Sequence, residues 1–190
     1  MKRFEKLQEK IFIARLHAHD SDAFAEVYDY YLDRIYRFIF FRVAIQEEDQ
    51  DLTSEVFLKT WKYIYEKRGK IDNLNAFLYQ TARNLIVDQY RDKDKLKMAE
   101  YDENTLNEVI DERQMKIFSQ IDINEEFQNI EEIVKDLKDE YREIIILKFI
   151  EELSDSEISK IINKSRGNVR VLAHRALEKI REKIESQKNG

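Results

Sequence analysis

The chain has 190 residues, no cysteine, no proline, three glycines and a formal net charge of −6; 43% of it is hydrophobic and 38% charged. That composition excludes disulfides and thiolate metal sites and disfavours turn-rich β architecture, so an all-α protein of one large or two small domains is expected. Arg37 and Arg42 interrupt the longest apolar run, residues 35–45, and MKRFEKLQEK at the N-terminus lacks the apolar core of a signal peptide, so no membrane span is expected and the cytoplasm is the default location.

Residues 21–98 are apolar, aromatic-rich and helical in pattern. Asp20 or Ser21 is placed to cap the first main helix. Ile35, Phe38, Ile39 and Arg42 recur at helical spacing, as do Val56, Phe57, Thr60, Trp61 and Ile64. The break falls at EKRGKIDNLN, residues 66–75, which holds Gly69, Asp72, Asn73 and Asn75. Phe77, Leu78, Thr81, Ala82, Leu85 and Ile86 then form a further amphipathic helix. Residues 100–143 carry fifteen acids against five bases. The part from about 99 to 127 reads as an acidic linker, with a helical turn or two around 109–118. Apolar spacing resumes at Ile130, Ile133, Val134 and Leu137. From 160 to 188 there are nine bases and three acids, so the chain is polarised between an acidic middle and a basic end.

That basic end has a motif. Ser154 and Glu157 form a capping box that starts a short helix with Ile158, Ile161 and Ile162 on one face. Asn163-Lys164-Ser165 breaks it, and Ser165 can cap the next helix. There Val169, Leu172, Ala173, Ala176, Leu177, Ile180 and Ile184 make one apolar stripe. Two helices joined by so tight a turn make a helix-turn-helix. The opposite face presents Arg166, Asn168, Arg170, Val171, His174 and Arg175. Arginine and asparagine pair with base edges in the major groove, and the positive charge neutralises phosphate. A merely solvated basic face would share the charge pattern but not the cap, the turn and the small residues.

DLKDEYREIIILKFIEELSDSEISKIINKSRGNVRVLAHRALEKIR resembles the fourth conserved region of RNA polymerase sigma factors. FAEVYDYYLDRIYRFIFFRV, EEDQDLTSEVFLKTWKYI and NLNAFLYQTARNLIVDQYRDKDK resemble the second. Two such regions with a linker and no third domain are similar to the extracytoplasmic-function group of the sigma-70 family. The resemblance implies a first domain over 1–98, a linker over 99–127 and a second domain over 128–190. It also implies that the chain binds core RNA polymerase and directs promoter-specific initiation. Ser54 departs from the family's usual Gln, and Leu137-Lys138 from its Leu-Pro.

The resemblance assigns the polymerase contact to Asp51, Leu52, Glu55, Val56 and Phe57. As residues, Val56 and Phe57 read better as core, which leaves the weight on Asp51, Leu52 and Glu55. It assigns recognition and melting of the downstream promoter element to Tyr63, Lys67, Arg68, Lys70, Asn73, Gln80, Arg83, Asn84 and Arg91. Ser165, Arg166, Asn168, Arg170, Val171, His174 and Arg175 would read the upstream element. The family's linker threads toward the polymerase active site, where an acidic segment suits a channel built for RNA; a plain tether would have the same composition. The group commonly has anti-sigma inhibitors that cover these surfaces, which makes such a protein a candidate partner alongside core polymerase and promoter DNA. An enzyme is not expected, and no cofactor is called for. The three histidines lack metal spacing, His17 and His19 would face apart on a helix, and there is neither a phosphate-binding glycine loop nor a nucleophile with a base. Two other readings remain: a helix-turn-helix regulator that never joins polymerase, which leaves the first domain unexplained, and a helical protein scaffold, which leaves the basic face unused.

Overall fold

In the computed structural model the described residues are 2–43, 47–98 and 132–188, and they contain helices and no strand. The acidic linker expected over 99–127 lies outside them. Helix α1 spans Lys2–His17, a segment in which the sequence reading placed no element; Phe12 and Leu16, one turn apart, are buried, as is Glu9. It ends in a tight reversal, with His19 in the left-handed region at φ 56. Asp20 then caps α2, Ser21–Phe40, accepting from the Asp22 and Ala23 N–H groups. Arg15 braces that cap at 2.7 Å and holds the Asp20 carboxyl below its ordinary value.

Val27, Tyr31, Ile35, Phe38 and Ile39 of α2 are buried, the stripe that the periodicity predicts. Helix α3, Glu47–Trp61, crosses α2 and α4. It runs into one wide π turn, Lys62–Glu66, which ends at Arg68 with φ 51. Asn73 closes the loop by accepting from the Ala76 N–H at 2.6 Å, so α4 starts there and runs Leu74–Met98.

The second unit repeats the device. Helix α5, Asp139–Ile145, runs into a π turn, Ile146–Ile150, that ends at Glu152 with φ 52. Helix α6, Asp155–Ile161, opens with the expected capping box of Ser154 and Glu157. Asn163, at φ 53, makes the turn into α7, Arg166–Lys188, and Ser165 accepts from the Asn168 N–H at 3.2 Å. Val169, Leu172, Ala173 and Ala176 are buried as the stripe predicts, while Ile184 is exposed beyond the core.

The two units share one apolar core. Helix α6 lies along α4, and Arg37 of α2 reaches Glu151 across 114 residues of chain. Among the described residues, no helix is long and apolar enough to cross a membrane.

Candidate nucleic-acid and polymerase interfaces

The most specific surface is a recess of about 440 Å³ between the end of α3, the π turn and α4. One wall is aromatic: Tyr63 lies against Phe77, with ring centroids 4.8 Å apart. Gly69 makes that wall possible, because a Cβ there would stand 2.3 Å from the Tyr63 ring. The rim is polar and mainly cationic, with Lys59, Lys62 and Lys67 on one side and Thr81, Asn84 and the single carboxylate Asp88 on the other. Thr81 donates back to the Phe77 carbonyl at 2.8 Å, which orients its hydroxyl, while Asn84 is exposed. An aromatic face, an amide and a ring of ammonium groups suit an unstacked base with its phosphate.

Of the nine residues expected at the downstream element, the recess gathers Tyr63, Lys67 and Asn84. Arg68 and Lys70 line a separate recess of about 410 Å³ with His17 and His19. That corrects the reading of the histidines: α1 stops at His17, and the left-handed turn at His19 swings both rings to one side. His17 accepts the Ile71 N–H at 3.1 Å, and among the described residues no group of side chains could hold a metal ion. Asn73 is the cap of α4. Gln80 donates to the Lys160 carbonyl at 2.6 Å and Arg83 to Glu143 at 2.9 Å, so the second unit covers both. Arg91 pairs with Asp88 at 2.9 Å at the far end of α4.

On α3, Asp51 is exposed and Glu55 is half-buried and paired with Lys59 at 3.1 Å. Val56 and Phe57 are core, as their spacing suggested. Leu52 is also buried, at 6% exposure, because α3 is packed against both α2 and α4 and Leu52 turns inward with Val56 and Phe57. Leu52 therefore forms the floor of a groove of about 500 Å³ that Asp51, Glu55, Lys59, Asp88 and Arg91 line. On that face α3 presents Leu58, 50% exposed and two turns on from Asp51, and at its end it presents Trp61.

On α7, Arg166, Asn168, Arg170, Val171, His174 and Arg175 all lie exposed on one side, with Ser165 at its start. Arg166 reaches the Ser156 hydroxyl at 2.7 Å and Arg170 reaches Asp155 at 3.0 Å. Lys148 and Arg170 together hold the Asp155 carboxyl below its ordinary value. His174 stands 3.3 Å from Glu178. Val171, 48% exposed, gives the face an apolar contact of the kind a thymine methyl takes.

The chain matches the family model for sigma-70 region 2 over residues 27–96 and that for sigma-70 region 4 over residues 127–180. It is 30% identical over 178 residues to the ECF RNA polymerase sigma factor SigW of Bacillus subtilis, covering 87% of this chain and 90% of that one. The chain belongs to the ECF sigma factors of the sigma-70 family. It is also 29% identical over 167 residues to the ECF sigma factor BldN of Streptomyces coelicolor, though it spans only 61% of that relative's length. In fold it is similar to CnrH solved with the cytosolic domain of CnrY, at a TM-score of 0.65 and 17% identity, over 94% of this chain and 98% of that one. It is equally similar to the sigma factor RpoE of Bartonella quintana solved with the anti-sigma factor NepR, at 0.65 and 18%, over 85% and 96%.

The recess and the α3 face also hold Lys59, Lys62, Phe77, Thr81 and Leu58, which the sequence reading did not single out for these surfaces. Phe77 and Thr81 were read only as helix periodicity. The signal that could have found them is their spacing from Asn84, seven and three residues, which sets all three on one side of α4. The family's Leu-Pro is absent, yet Lys138 keeps φ −54 and ψ 142, the geometry proline imposes.

Proposed function

We propose that this sigma factor binds core RNA polymerase through the Asp51, Glu55 and Leu58 face of α3. It captures an unpaired base of the downstream promoter element in the Tyr63–Phe77–Asn84 recess and reads the upstream element with α7. Its task is recognition in the cytoplasm, with no chemical step of its own. The recess carries this reading, since a base-sized pocket beside the polymerase face is what separates a promoter-opening protein from an ordinary helix-turn-helix binder. The energetics are adequate: opening costs about 1.4 kcal/mol per base-pair step in stacking, and each captured base returns about 1–3 kcal/mol. Acids beside an exposed apolar side chain on α3 suit a basic helical partner. That both structural neighbours were solved with a bound partner supports an anti-sigma protein as a further ligand.

Changing Lys62, Lys67 and Asn84 together to alanine tests the recess. The variant should retain core polymerase in a pull-down and lose open-complex formation on a duplex promoter, read by permanganate reactivity of unpaired thymines. A promoter mismatched across the downstream element should restore opening. Parent-level opening of the duplex by the variant would place the melting function elsewhere.

A further inference from the structure

Three hydrogen bonds tie residues 65–75, the loop between the π turn and α4 with its two edges, to α1 and its junction with α2. The Tyr65 hydroxyl, at the near edge, donates to the Asp20 carbonyl at 2.9 Å. In the middle of the loop the Ile71 N–H donates to His17 Nε2 at 3.1 Å, and at the far edge the Asn75 N–H donates to Glu9 at 3.1 Å. The acceptors stand on a fixed corner. Phe12 and Leu16 of α1 are buried, and Arg15 pairs with Asp20 and Glu26, each at 2.7 Å.

Each contact suits a holding role. The Gly69 N–H returns to the Tyr63 carbonyl at 2.8 Å, which sets the path of the chain as far as Gly69. Beyond it, Ile71 packs into the core at 3% exposure, and a partly buried N–H beside it needs an acceptor. Asn75 lies in the first turn of α4, where N–H groups have no partner inside the helix. Asn73 takes the Ala76 N–H. Glu9, 9% exposed, takes the one before it, a carboxylate at the positive end of a 25-residue helix. The recess depends on this path. Tyr63 and Lys67 line it from the start of the loop, and Phe77, Thr81 and Asn84 line it from α4. A loop already ordered in its bound shape avoids the entropy loss that a mobile one meets on taking up a ligand.

We propose that α1 is a splint for this loop, and that Glu9 and His17 are positioning residues that hold the loop and α4 at the spacing an unpaired base fits. This rests on the reading of the Tyr63–Phe77–Asn84 recess as the base pocket, but the splint can be measured without DNA. In the full chain, amide hydrogen exchange at Ile71 and Asn75 should quicken about tenfold in Glu9→Ala/His17→Ala, as befits a lost hydrogen bond. Binding of a mixed-sequence single-stranded oligonucleotide should weaken by a similar factor, with core polymerase retained at the parent's level in a pull-down. Glu9→Gln/His17→Gln keeps an acceptor oxygen at both positions and should restore slow exchange and binding. His17 is exposed, so His17→Ala alone keeps the fold; it should quicken exchange at Ile71 and leave Asn75 as it is. Parent-level exchange at Ile71 in both alanine variants overturns the splint. Quickened exchange with parent-level oligonucleotide binding overturns the positioning role. Failure of the glutamine pair to restore binding overturns the accepting role given to the two side chains. Parent-level oligonucleotide binding by the Lys62, Lys67 and Asn84 triple alanine variant would instead overturn the recess reading on which the positioning role rests.

Discussion

At Gly69 the requirement is space rather than backbone freedom. Its neighbour Arg68 takes the left-handed turn, while Gly69 lets the Tyr63 ring lie flat on the loop and against Phe77. Gly69→Ala should therefore destabilise the first domain by about 1–3 kcal/mol, the usual cost of overpacking, measured by urea denaturation. It should also weaken single-stranded DNA binding, because Tyr63 must leave its wall. A second residue-scale consequence concerns acid. Bonds to Lys148 and then Arg170 lower the Asp155 carboxyl below its ordinary 3.8. A depressed carboxylate contributes stability that is present above 3.8 and is lost as pH falls through the folded value. The parent's urea midpoint should thus drop more steeply than that of Asp155→Asn when acid is titrated down through 3.8; parallel curves would contradict this. Asn84 was singled out by the family resemblance and Lys67 by the basic track of the loop, and both line the recess. Phe77 was not, since an aromatic at helical spacing looks the same whether it lines a core or a recess.

Helix boundaries were the most legible elements. Asp20, Ser154, Glu157 and Ser165 act within a few residues of themselves, so their caps can be read from short words of sequence. Helix ends were harder. His19, Arg68 and Glu152 take positive φ where neither glycine nor asparagine stands, so the punctuation usually sought at a C-terminus is missing there, while Asn163 supplies it. The two π turns are equally silent in composition. Helix α1 escaped notice because Phe12 and Leu16 are only two anchors on a charged segment. The backbone at Lys138 yields a prediction for α5. Its φ already fits proline, and it is exposed. Lys138→Pro should raise stability by about 0.4–1 kcal/mol by restricting the unfolded chain. Thermal unfolding of the two proteins side by side checks it, and a lower midpoint for the proline variant would contradict the fit.

At the scale of the whole molecule, the family and its two-region order were legible, and the packing of one region on the other was not. The pairs that make it, Arg37 with Glu151 and Arg83 with Glu143, are separated by 114 and 60 residues. No periodicity links charges so far apart, and each looks solvated in its own helix. The consequence is that Gln80 and Arg83, which the sequence reading placed at the downstream element, are engaged by the second unit. On the proposed function, this sigma factor and core polymerase together open promoters, with the Tyr63–Phe77–Asn84 recess holding the unpaired base. The most direct measurement is transcription from a duplex promoter library with purified core polymerase, sequencing the RNA starts. Discrete starts sharing a downstream element are expected with the parent chain, none with core alone, and none with the Lys62, Lys67 and Asn84 triple alanine variant unless the templates are mismatched at that element. Discrete starts from duplex templates with the triple variant, at the parent's positions and yield, would contradict it.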